Sequence, residues 1–211
     1  MKIEKRLIIS FIIISLVSIT ALFWPEQTSL PKPGTFLGEE DIVGSDVAWI
    51  LASSGLVLLM TPGLSFFYGG MVGKKNMIST MLQSFIALGV ISILWVVVGF
   101  SLSFGESIGI TINGQHYGLI GNPTTYSFFN NVGVLPHSQL ASTVPFVLFA
   151  MFQMKFAVIT PALITGSFAE RVRFISYLLF MVLFSLIIYT PLCHMVWHPE
   201  GLLNKYFGVK D

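Results

Sequence analysis

Phe152 and Phe156 stand four residues apart with Gln153, Met154 and Lys155 between them. On a helix that spacing brings both rings to one face. The surrounding segment, residues 144–166, is otherwise apolar, and a lysine at that depth is costly in lipid unless it faces a polar partner or an aqueous space. Paired rings beside a deeply placed charge read as the wall of a pathway through the protein.

Such a wall needs a helix to carry it and neighbours to face it. Four apolar segments meet the need, at residues 47–71, 78–104, 144–166 and 174–196. About 20 residues at 1.5 Å each cross a hydrocarbon core of roughly 30 Å. Composition agrees, with 54% hydrophobic and 10% charged residues and a mean hydropathy of +0.82, where a soluble domain carries roughly 25% charge. The expected fold class is an all-α membrane protein, a polytopic bundle of transmembrane helices. Thr61-Pro62-Gly63 should bend or loosen the first span, and Trp95 reads as a lipid-facing or packing aromatic in the second. Gly69 and Gly73 fit Gly-x-x-x-Gly, where packing or a turn is the simpler use.

The ends and connections set the topology. Lys2, Lys5 and Arg6 precede an apolar run, so residues 1–24 form a signal peptide or an uncleaved signal anchor. Residues 25–46, rich in proline and acidic side chains, are an extracytoplasmic lead-in, and residues 47–211 form the main domain. Lys74, Lys75, Arg171 and Arg173 mark two short links as cytoplasmic. The long segment 105–140 has no lysine or arginine and is expected outside, as a loop or a partly ordered cap with Asn-Gly and Asn-Pro turns. A net charge of +1 gives no footprint for nucleic acid. Cys193, the single cysteine, allows no internal disulfide and reads as a buried apolar residue. No cofactor, metal site or enzymatic activity is expected.

The order of motifs is more specific than any one of them. Met60-Thr61-Pro62-Gly63, Phe66-Phe67-Tyr68-Gly69-Gly70 and Lys75-Asn76 are followed by Trp95, Ser101-Leu102-Ser103-Phe104-Gly105, Phe152-Gln153 with Phe156, Ala169-Glu170-Arg171 and His194-Met195-Val196-Trp197. Together they resemble the N-terminal portion of the ammonium transporter, methylammonium permease and Rhesus family. The resemblance implies an eleven-helix inverted-repeat fold of which four spans are present, a homotrimer when the full domain is present, and a place in the cell membrane. It implies ammonium or ammonia as substrate. Trp197 and Phe152 resemble recruitment residues, Phe152 and Phe156 resemble a pore gate, and Asp211 resembles an aspartate that supports the vestibule indirectly. Elementary chemistry fits, since an aromatic face attracts a small cation by about 0.5–1 kcal/mol, or ~2 when desolvated. An apolar gate beneath then penalises a full charge and favours loss of the proton.

Two departures qualify the likeness. Lys155 stands where family members commonly carry an uncharged residue. Facing the pore, its charge would repel ammonium unless burial kept it neutral. It could instead snorkel to a polar partner, mark a sensor or altered conductor, or mark a damaged pore. The family's paired pore histidines have no match. His116 and His137 are expected to be solvated, and His194 and His198 to make interfacial hydrogen bonds near Trp197. Gln153 is expected to bond backbone or a neighbouring helix or else to serve in the vestibule, and Tyr68, Phe66 and Phe67 to pack. Glu170 and Arg171 should pair with each other or cap their link. Besides transport, two readings stay open: a non-conducting ammonium sensor with the same core, and a truncated inactive fragment.

Overall fold

The computed structural model describes residues 34–209. The proposed signal segment and Asp211 therefore lie outside the described residues. Four long helices account for the four apolar segments: α1 (Gly44–Met71), α2 (Met77–Phe104), α3 (Phe146–Phe168) and α4 (Phe174–Trp197). They hold 28, 28, 23 and 24 residues, each enough to cross a bilayer while satisfying its backbone internally. A β-hairpin and irregular segments sit at one end of the bundle, called here the cap end. The short basic links between α1 and α2 and between α3 and α4 lie at the other, the link end. A short helix α5 (Leu202–Phe207) follows α4 and stops at Gly208, which adopts the left-handed conformation with φ of 64°.

Pro62 does not divide α1, which runs through it as one helix. α1 lies against α2 and α3 at glycines. A Cβ on Gly69 would lie 2.7 Å from Met81 Cγ, and one on Gly166 would lie 2.7 Å from Tyr68 Cε1. Ser65 donates to the Met81 carbonyl at 2.9 Å, and Tyr68 donates to that of Leu163 at 2.6 Å. Tyr68 and Gly69 thus pack within the chain, whereas Phe66 and Phe67 are exposed at 65% and 60%, with the Phe67 ring 5.5 Å from that of Tyr68. At the link end, Glu170 turns across to the other link instead of pairing with Arg171. Its Oε1 accepts from the Gly73 amide at 2.9 Å and from Asn76 Nδ2 at 3.0 Å, and these bonds, that of Asn76 first, hold its carboxyl below the ordinary range.

α2 and α4 each contain one π-helical turn, at Trp95–Gly99 and Ser185–Tyr189. Such a turn inserts a residue and rotates everything beyond it relative to a regular helix. Gly99 suits the widened turn, where a Cβ would lie 3.1 Å from Trp95 Cε3. Trp95 is 1% exposed and donates Nε1–H to the Ala150 carbonyl at 3.1 Å, which fastens α2 to α3. Its ring meets Phe100 at 5.8 Å and Tyr189 at 6.4 Å. Phe100 in turn meets Phe146 at 5.4 Å and Tyr126 at 5.5 Å, carrying the aromatic core into the cap.

The cap is more ordered than a loop. Strands β1 (Ser107–Ile112) and β2 (Gln115–Gly121) pair antiparallel with a bulge at Ile108 and Gly109. Asn113 and Gly114 turn between them with φ of 52° and 78°, the two positive values of a tight hairpin turn. His137 is also not solvated. It is 7% exposed, its ring lies 4.8 Å from Phe146, and its Nδ1 accepts from the Gln139 and Leu140 amides at 3.2 Å each. That leaves the proton on Nε2, which donates to Tyr126 Oη at 3.2 Å. A polar sequence hid a buried histidine because its partners are remote aromatic residues and nearby amides.

Two outcomes follow from this packing. Gly166→Val should force Tyr68 from its bond to Leu163 and cost about 1–3 kcal/mol, while Gly63→Ala, which meets nothing within 4 Å, should be neutral. Melting temperatures of the purified variants in detergent check the pair. Burial pushes the His137 imidazole below its ordinary value of 6.5. The neutral form is thus favoured in the fold, and its contribution is complete above the unfolded value and lost as pH falls below it toward the folded one. Hydrogen-exchange protection factors across residues 105–140, in which the intrinsic pH dependence of exchange is divided out, should fall from about pH 7.5 to about pH 5, less steeply in His137→Gln.

Candidate functional site

α3 buries Phe146, Ala150, Met154, Ala157, Val158, Pro161, Ala162 and Thr165, all within about 80° of Met154 around the helix, and also Ile159, which lies on the side of Phe152. At about 100° per residue, Phe152 and Phe156 each project about 160° from Met154, so both rings point away from the packed face. They meet edge to face with centroids 5.1 Å apart and planes at 77°. Trp197, in the last turn of α4, reaches the same place and meets Phe156 at 6.2 Å and 72°. Three of the residues expected from sequence therefore form one chain of rings, Phe152 to Phe156 to Trp197, each half-buried.

The chain of rings lies toward the cap end. Phe152 is about 9 Å and Lys155 about 14 Å into α3 by helical rise. Lys155 is half-buried and lies about 60° around the helix from Phe152. Among the described residues no carboxylate pairs with it. Gln153 departs from expectation: its Oε1 is buried with no hydrogen-bond partner among the described residues. Thr160 donates to the Phe156 carbonyl at 2.7 Å, so that carbonyl is engaged within α3. Rings and hydroxyls without a nearby carboxylate can attract a cation without holding it tightly. Among the described residues no group of three or more histidine, cysteine or acidic side chains could hold a metal ion.

His194 and His198 are buried, not interfacial, at 0% and 7% exposed. Their rings stack at 4.5 Å with planes 14° apart, and Ser107 Oγ lies 2.8 Å from His194 Nε2 and 3.3 Å from His198 Nδ1. Burial first, then His194 and His137, pushes His198 down to about 3, so it is neutral at any ordinary pH. Sequence reasoning missed Ser107, which comes from a distant strand. The spacing of four between the histidines was the available signal that their rings meet. His116 is half-buried, with Nε2 3.2 Å from the Ser107 carbonyl, and is not fully solvated as expected.

Comparison with known proteins matches this arrangement to a family. Residues 48–211 match the model of the Ammonium Transporter Family. An ammonium transporter of Mycobacterium bovis is 42% identical over 176 residues, covering 78% of this chain and 36% of that protein. One from Bacillus subtilis is 44% identical over 152 residues, covering 72% and 35%. The crystal structure of Saccharomyces cerevisiae Mep2 superposes with a TM-score of 0.66 at 33% identity, covering 78% of this chain and 34% of that one. The chain thus spans about a third of the length of these relatives. It belongs to the ammonium transporter family and is a multi-pass membrane protein.

Proposed function

We propose that this chain forms the N-terminal part of an ammonium transporter, with its cap end outside the cell and its basic links in the cytoplasm. Trp197 and Phe152 recruit the cation between their ring faces, and Phe152 and Phe156 form the gate below. Asp211 supports the vestibule without touching substrate. The complete domain assembles as a homotrimer in the cell membrane. One observation carries the reading: in a member of this family, the rings of Phe152, Phe156 and Trp197 meet on the side of α3 opposite Met154 and stay half-buried there.

Cation–π attraction of about 0.5–2 kcal/mol per ring converts to roughly a two- to thirtyfold change in affinity. Trp197→Ala in the complete protein should raise the apparent KM for methylammonium by an amount in that range. Phe156→Ala should change uptake as well. Unchanged uptake in both variants would remove the pathway assignment.

Lys155 is the observation that favours a second reading, binding without conduction. A protonated Lys155 facing the pathway, about 14 Å into α3, would stand in the way of a cation that the rings attract. If Lys155 limits entry, Lys155→Met raises methylammonium flux by about tenfold, the equivalent of about 1.4 kcal/mol of barrier. Tight ammonium binding with no flux in the parent, and flux in Lys155→Met, would establish the sensor reading. Substantial flux in the parent establishes transport.

A further inference from the structure

The last turn of α4 carries the indole of the proposed recruitment site, and a helix end holds one position only where its groups are tied. Here it is tied to the hairpin. His194 Nδ1 lies 3.0 Å from the Ser103 carbonyl, which can only accept, so Nδ1 carries the proton and Nε2 the lone pair. The Ser107 hydroxyl donates its single proton to that Nε2 at 2.8 Å. His198 Nδ1 accepts the Glu200 amide at 3.2 Å, which places the His198 proton on Nε2. The Ser107 contact to His198 at 3.3 Å is then packing, since the hydroxyl proton is already used.

These bonds close a compact unit. His198 donates its amide to the His194 carbonyl at 3.1 Å, and the Gly118 amide of β2 donates to the Glu200 carbonyl at 2.7 Å. Gly118 leaves no room for movement, because a Cβ there would lie 2.6 Å from both His194 Nε2 and Ser107 Oγ. Trp197 sits between the two histidines in sequence, three residues after one and one before the other, and its ring faces Phe156.

We propose that Ser107, His194 and His198 form a positioning latch that docks the hairpin on the end of α4 and thereby fixes the Trp197 indole against Phe156. This rests on the reading of Trp197 as a recruitment residue and adds the residues that set its place. None of the three touches the substrate. The latch acts on affinity through the indole and leaves the gate itself alone.

Two measurements on the complete protein test it. In protein labelled with 5-fluorotryptophan, with the Trp197 resonance assigned by Trp197→Phe, Ser107→Ala and His198→Ala should shift or broaden that resonance. His198→Asn, whose side-chain oxygen can take the place of Nδ1 beside the Glu200 amide, should restore it. A Trp197 resonance unmoved in both alanine variants overturns the latch, whatever the transport result. In uptake assays normalised to inserted protein, Ser107→Ala should raise the methylammonium KM by about threefold, the scale of one hydrogen bond, at constant maximal rate. It should add nothing in a Trp197→Ala background. Additive effects, or a changed rate at constant KM, would overturn the proposal. An unchanged KM in Trp197→Ala alone would instead overturn the recruitment reading, and the resonance then decides the latch by itself. If Ser107→Ala fails to insert, the two His198 variants carry the same comparison.

Discussion

The seam between α2 and α3 fixes where everything else can go. Trp95 gives its only side-chain donor to the Ala150 carbonyl, and the contact of Phe100 with Trp95 and Phe146 adds a second tie between α2 and α3. With Ala150, Met154 and Ala157 buried on one side of α3, Phe152 and Phe156 project to the other. The seam also coincides with the π turn of α2, where the ring of Trp95 meets Tyr189 of the π turn in α4. A local irregularity in each helix is therefore supported by its neighbour, and the phase of α4 beyond Tyr189 brings Trp197 to Phe156.

This explains which parts of the fold were legible in the sequence. Length and composition reveal a membrane span because lipid requires about 20 apolar residues and internal backbone satisfaction, and all four spans were visible on those grounds. Rotation was not, because helices surrounded by lipid are apolar on every side and the 3.6-residue period carries little contrast. The four-residue spacing of Phe152 and Phe156 survives that loss, since it depends on one helix only. Trp197 could join them only through the family resemblance, because the π turn at Ser185–Tyr189 lies between any regular helical phase and its observed position.

The cap was less legible for a different reason. Ser107-Ile108-Gly109-Ile110-Thr111-Ile112 alternates polar or small residues with isoleucine and runs into Asn113-Gly114, a sufficient strand and turn signal obscured by the polar composition of the segment as a whole. The burial of His137 and of the His194–His198 stack had no such local signal. Each depends on a partner far along the chain, Phe36 in one case and Ser107 in the other.

Lys155 joins these constraints to the proposed chemistry. The seam that turns Phe152 and Phe156 to the open face places Lys155 about 100° around the helix from Met154, beside the rings and away from the deepest packing. On the proposed reading, aromatic faces near the cap end attract a cation, and a protonated Lys155 facing the same pathway would oppose its advance. At 4 Å such opposition amounts to about 1 kcal/mol in a water-filled space and about 4 kcal/mol at an effective dielectric of 20, the larger figure exceeding the attraction of one ring. On the proposed reading, such a charge would hold ammonium at the rings, and it is this barrier that Lys155→Met would lower.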